Sequence, residues 1–142
     1  MNSRVAVRLG LAIGVGLLLA ACGAPGDSSN TDKTIKSTTS NGLTITLSSD
    51  TGQVKGGKND LILLFADSSG KPVDVGAASL NFHMPAMGSM AEMTETSTLT
   101  TTTTPGRYRA QVNLESGGTW EARISYQGSK GTGQSTMSVS AR

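Results

Sequence analysis

The chain has 142 residues, of which 36% are hydrophobic, 4% aromatic and 15% charged, with a formal net charge of +2. This length predicts one domain, because a single core usually serves about 100–200 residues. Arg4 and Arg8 account for the net charge, and the remaining Lys and Arg form no cluster that would bind phosphates, which excludes a nucleic-acid-binding protein.

The first 21 residues predict a secretory signal peptide. Residues 9–21 carry no charge, and this run is shorter than the roughly 20 residues of a membrane span. It ends in Leu19-Ala20-Ala21-Cys22, which looks like a bacterial lipobox. We therefore expect a covalent lipid on Cys22 that anchors the protein to a membrane, facing the periplasm or the cell surface. The alternative is an ordinary signal peptide followed by an unrelated free Cys.

Residues 22–40 predict a disordered tether between this anchor and the domain. Ile35 is the only large apolar residue between positions 23 and 40, too few to offset the entropy of ordering. The folded domain is predicted to occupy residues 41–142. Because Cys22 is the only Cys of the chain, that domain has neither an internal disulfide nor a Cys-rich zinc site.

Apolar residues recur at every second position in much of the domain, which is typical of half-buried β-strands. Residues 61–66 are apolar throughout and predict a central strand covered on both faces. The Thr-rich residues 98–104 predict an exposed strand. Together the predicted strands are residues 43–47, 61–66, 79–84, 98–104, 108–114, 120–126 and 137–141.

About seven short strands separated by turns, without a convincing amphipathic helix, predict an all-β fold, an immunoglobulin-like antiparallel β-sandwich. One of the turns is predicted at residues 67–72, from their composition.

Methionines are concentrated in one segment, at Met84, Met87, Met90 and Met93, and the only His of the chain, His83, precedes the first of them. Pro85 and Gly88 disfavour a helix here. In a strand, residues three apart point to opposite faces. A loop or hairpin that turns several sulfurs toward one point fits the spacing better.

A thioether is a soft, neutral donor that prefers Cu(I) to Zn²⁺, Mg²⁺ or Ca²⁺, and it cannot form a disulfide in an oxidising compartment. The segment therefore predicts a copper site with His83, Met84, Met87, Met90 and Met93 as candidate ligands. The alternative is that some of these methionines fill the core. Glu92 and Glu95 are expected to be solvated strand residues.

The motif Phe82-His83-Met84-Pro85-Ala86-Met87-Gly88, followed by Pro-Gly-x-Tyr at 105–108 and Gly-x-Trp at 118–120, resembles the YtkA-like family, related to FixH-like proteins. The resemblance covers roughly residues 41–142. It implies a small β-sandwich of the cell envelope, copper handling with an efflux or acceptor protein as partner, and scaffold roles for Tyr108 and Trp120.

The sequence departs from many members of that family at two places. Ser89 stands where many relatives have a His, and residues 114–118 lack a Met that many relatives have before Gly-x-Trp. Both departures remove possible ligands, for which Met90 and Met93 are candidates to compensate.

The sequence thus predicts a lipoprotein that binds Cu(I) and buffers it, delivers it or confers resistance. The alternative is a structural or protein-interaction module in which the methionines form an adaptable apolar surface and no metal is bound. An enzyme is not expected, because the chain has one His, one Cys that is expected to be acylated, and no G-x-S-x-G motif.

Overall fold

The computed structural model describes residues 32–142, which form two antiparallel β-sheets packed as a sandwich. The described residues contain nine strands and no helix, which confirms the predicted fold class. One sheet has the order β1-β2-β3-β7-β6 and the other β5-β4-β8-β9. The strands are β1 (Lys33–Ser40), β2 (Leu43–Ser49), β3 (Gly57–Ala66), β4 (Ala77–Met84), β5 (Met93–Thr96), β6 (Thr98–Thr101), β7 (Arg107–Leu114), β8 (Gly118–Gly128) and β9 (Gly131–Ala141).

Sequence alternation becomes alternation of burial in these strands. In β7 every second residue is buried, and the intervening residues, apart from the half-buried Arg107, are exposed. The inward side chains of both sheets form one core, in which Trp120 is fully buried and donates its indole N–H to the carbonyl oxygen of Ser116 at 3.1 Å. Phe65 packs edge-on against Tyr108 and Tyr126, with ring centroids 5.9 and 5.4 Å apart.

The folded part of the chain begins earlier than the sequence predicts. Residues 33–40, expected to belong to a disordered tether, form β1 at one edge of the first sheet, paired with β2 from Lys33↔Ser49 to Ser40↔Leu43. An edge strand is held largely by main-chain hydrogen bonds, so it needs few apolar side chains. In β1 the one large apolar side chain, that of Ile35, packs against the core. The tether boundary at residue 40 is therefore wrong.

The central strand is covered on one face more completely than on the other. β3 lies in the middle of its five-stranded sheet, and Leu61, Leu63 and Phe65 are buried in the core. On the outer face Ile62 and Leu64 are only half-buried, because no second layer lies over them within the described residues. The expectation that both faces are covered is thus wrong for the outer face.

One of the passages of the chain between the two sheets is a single residue long. β5 belongs to the four-stranded sheet and β6 to the five-stranded sheet, and Ser97 alone separates them. The backbone N–H of Ser97 donates to the carbonyl oxygen of Leu80 at 3.0 Å. β1 and β5 account for the excess over the seven predicted strands, because β6 lies within the strand predicted at residues 98–104.

The turn predicted at residues 67–72 is confirmed. A carboxylate oxygen of Asp67 accepts the backbone N–H groups of Ser69 and Lys71 at 2.9 and 3.0 Å and the Ser69 hydroxyl at 2.6 Å. These hydrogen bonds, the one from the Ser69 hydroxyl first among them, lower the pKa of Asp67.

The predicted signal peptide at residues 1–21, the predicted lipid on Cys22 and the predicted tether as far as residue 31 lie outside the described residues. Among residues 32–142, no helix is long and apolar enough to cross a membrane.

Candidate metal centre

The four clustered methionines lie on one hairpin, which joins β4 to β5. Met84, the last residue of β4, is directly opposite Met93, the first residue of β5. Further along, Met87 and Met90 form an isolated antiparallel bridge. The hairpin register therefore places each methionine opposite another methionine, in two pairs. We call Met84 and Met93, at the base of the hairpin, the basal pair, and Met87 and Met90 the tip pair.

The tip pair is held by main-chain hydrogen bonds. The N–H of Met87 donates to the carbonyl oxygen of Met90 at 3.1 Å, and the N–H of Met90 donates back at 2.9 Å. Gly88, the first of the two residues between them, has a φ of 58°, whereas Ser89 has a negative φ. A two-residue hairpin turn with glycine at a positive φ in its first central position has the character of a type II′ turn. A loop or hairpin, rather than a helix, is thus confirmed for this segment.

Of the basal pair, Met84 belongs to the core and Met93 packs against it. Met84 is 3% exposed, and Met93 is partly buried and packs against the core. The Met84 side chain lies against the start of β8. A Cβ built on Gly118 would be 3.0 Å from the Met84 methyl carbon and 3.9 Å from its sulfur. Glycine at position 118 thus leaves the space that the Met84 thioether occupies.

The tip pair is in contact with solvent. Met87 is 61% exposed and Met90 is 48% exposed, and they are the exposed large hydrophobic residues of the part of the chain that the structure describes. Directly opposite residues of an antiparallel pair project their side chains to the same face, with Cβ atoms about 4.5–5.5 Å apart. The two flexible thioethers are therefore neighbours on one face of the turn.

His83 lies on the other face of β4 from the buried Met84, because successive residues of a strand alternate. It is half-buried, and its Nδ1 is 3.2 Å from the Thr94 hydroxyl on β5. On its other side it is opposite Glu121 of β8. The Glu121 carboxylate forms an ion pair with Arg123 at 2.8 Å.

The structure brings the predicted ligands together in part. The methionines form two pairs, one at the edge of the core and one at the tip, and His83 lies on the outer face of the sheet. Glu92 is exposed but lies just before β5, and Glu95 lies in β5 but is half-buried, so each fits only part of the expectation of a solvated strand residue. Within residues 32–142 there is no group of three or more His, Cys, Asp or Glu side chains that would hold a metal ion.

Two features of this site were not foreseen from the sequence. One is the pairing, although positions 84 and 93 and positions 87 and 90 are symmetric about the Gly88-Ser89 turn, a signal that was available. The other is the contact between Met84 and Gly118, for which the sequence contains no local signal. The scaffold positions Tyr108 and Trp120 are both buried, as the family resemblance implies.

A sequence profile described as YtkA-like matches residues 37–125, which include β2 to β7, most of β8 and the whole methionine hairpin. The match begins within β1, in agreement with a domain that starts before residue 41. Comparisons with curated proteins and with solved structures give no match.

Proposed function

The chain belongs to the YtkA-like family, and from this membership and the methionine hairpin we propose that it is a non-catalytic envelope lipoprotein that binds Cu(I). In this proposal a lipid on Cys22 anchors the chain to a membrane on its extracytoplasmic side. The hairpin binds the ion, and the protein buffers copper, confers resistance to it, or passes it to an acceptor or efflux protein.

The observation that carries the proposal is the exposed tip pair. Two thioethers project from the same face of a turn whose backbone is fixed by two hydrogen bonds, and both are accessible to an ion in solution. Each side chain has three rotatable bonds, so the two sulfurs are able to approach one ion without moving the backbone. Soft neutral donors of this kind select Cu(I) over the hard divalent cations.

The other candidate ligands differ in access. Met84 is in the core and Met93 packs against it, so either side chain would have to leave its packing to bind an ion. His83 lies on the solvent side of β4, where its imidazole is a borderline donor suited to both Cu(I) and Cu(II). We therefore rank Met87 and Met90 first as ligands, His83 second, and the basal pair last.

A Cu(I) titration tests this ranking. The full chain would be purified in detergent with Cys22→Ser, so that no thiol competes, and titrated anaerobically against a chromophoric Cu(I) chelator. We expect a stoichiometric site that is lost in Met87→Leu/Met90→Leu and weakened in His83→Gln. Met137→Leu, at a buried position outside the hairpin, is the matched control and should bind as the parent does. Unchanged affinity in the tip double variant would refute the assignment.

The exposure of the tip pair also favours a second candidate function. Exposed thioethers form an adaptable apolar contact for another protein. In this alternative the tip docks on an envelope protein and no metal is involved. Binding of one such protein by the metal-free chain, unaltered by Cu(I) and lost in Met87→Ser/Met90→Ser, would support this function in place of copper binding.

A further inference from the structure

The described residues contain five methionines with the same side-chain chemistry and very different surroundings. Met84 and Met137 are each 3% exposed, and Met93 is partly buried. The tip pair is about half exposed or more. Oxidation of a thioether requires contact with the oxidant, so this contrast separates the methionines by reactivity.

We propose that Met87 and Met90 are modification sites, at which a hydroperoxide converts the thioethers to sulfoxides while the fold is retained. The sulfur donates an electron pair to one peroxide oxygen, so that an S–O bond forms as the O–O bond breaks. The sulfur loses two electrons and the peroxide gains them. The proton of the transferred oxygen passes to the leaving oxygen, which departs as water when the oxidant is hydrogen peroxide.

The fold tolerates this change at the tip because the sulfurs do not hold the turn together. The two hydrogen bonds between Met87 and Met90 are formed by backbone groups, and the turn also depends on the positive φ of Gly88. A sulfoxide oxygen at an exposed position is hydrated by water. At Met84 the same oxygen would be buried in the core beside Gly118, where an unpaired polar atom is costly.

Oxidation would also change what the tip binds, an extension that depends on the proposed function. A sulfoxide offers a hard oxygen and a sulfur without its former donor character, so the preference of the site for Cu(I) would be lost. Because sulfoxides are returned to thioethers by dedicated reductases, the modification is reversible. The tip would then release copper under peroxide stress and recover its affinity after reduction.

Peptide mapping after peroxide treatment tests the modification itself. The full Cys22→Ser chain in detergent, without metal, would be treated with hydrogen peroxide and sampled over time by mass spectrometry. We expect one oxygen atom at each of Met87 and Met90, gained roughly tenfold faster than at Met84 or Met137. Circular dichroism should show the β-sheet spectrum unchanged when the tip is fully oxidised. Equal rates at the buried methionines, or loss of the spectrum in step with tip oxidation, would overturn the proposal.

The consequence for copper is measured separately on the same samples. Loss of Cu(I) binding on tip oxidation, with recovery after treatment with a sulfoxide reductase, would support both proposals. If the oxidised tip binds Cu(I) as the untreated chain does, the modification sites stand as assigned and the assignment of copper to Met87 and Met90 fails.

Discussion

The base and the tip of the methionine hairpin are formed by the same residue type, recurring at every third position of the sequence, yet the two pairs differ in almost every physical respect. At the base, Met84 is in the core against Gly118 of a neighbouring strand. At the tip, Met87 and Met90 are held by their own backbone and exposed to water. The side chain alone does not determine this difference. It follows from where each residue lies along the hairpin and from which face of the chain it is on.

This comparison separates two roles that a methionine cluster often combines. At the base the flexible thioether fills an irregular space in the core, which is a contribution to stability. At the tip it contributes little to packing and is available for binding and oxidation. Substitutions at the two pairs should therefore change different measured quantities, and the following predictions test this from the largest effect to the smallest.

The largest expected effect is on the free energy of unfolding when the base is truncated. Met84→Ala removes a buried side chain and leaves a cavity, so we expect it to lower the free energy of unfolding by about 2–5 kcal/mol. Met87→Ala, at an exposed position, should change it by no more than about 0.5 kcal/mol. Urea denaturation followed by the fluorescence of Trp120, the single and fully buried Trp of the chain, measures both. Equal losses would contradict the division between base and tip.

The next effect concerns the contact that defines the base. Gly118→Ala places a Cβ 3.0 Å from the Met84 methyl carbon at a residue whose φ is 128°, so we expect a loss of about 1–3 kcal/mol. Gly131→Ala is the matched control, because Gly131 has a φ of 96° and no atom within 4 Å of the added Cβ. The control should show the cost of the backbone conformation without that of the contact.

A double-mutant cycle isolates the contact further. If the Met84 side chain is what the new Cβ meets, Gly118→Ala should cost less in a Met84→Ala background than in the parent. For Gly131→Ala, the loss in the free energy of unfolding should be the same in the Met84→Ala background as in the parent. A cost of Gly118→Ala that is independent of residue 84 would show that the close approach does not determine the stability at this position.

Much of the fold follows from local pattern in the sequence. Period-two alternation predicts β2, β7, β8 and β9, because each of these strands has one face on the core and one in solvent. β1 was not predicted because an edge strand is stabilised by the backbone of its neighbour, and its composition of Thr, Ser and Lys resembles that of a linker. Pattern thus predicts strands that bury side chains and misses a strand that is mainly paired.

The site could be predicted only in composition. The sequence identifies the four methionines and excludes a helix through Pro85 and Gly88. The division into a base and a tip depends on a register that the two-residue turn determines, and on the position of Gly118 across the sheet. The first of these is local and could have been derived from the symmetric spacing. The second is a long-range contact that no local pattern encodes.

The smallest expected effect is confined to the tip. Gly88 has a φ of 58° and nothing within 4 Å of an added Cβ, so Gly88→Ala should introduce backbone strain of about 1 kcal/mol without a steric clash. The backbone hydrogen bonds between Met87 and Met90 should then open about five times more often, seen as faster hydrogen exchange of these two amides.

Since the tip opens without exposing the core, the exchange of these two amides in Gly88→Ala should depend only weakly on low concentrations of urea. Ser89→Ala, in the same turn at a residue with negative φ, is the control and should leave both amides protected. Exchange of the two amides that rises with urea as steeply as exchange of the core amides would mean that the tip and base unfold as one unit. Faster exchange that depends only weakly on urea would mean that the tip is an independent element, free to change its ligand or its oxidation state while the base keeps the domain folded.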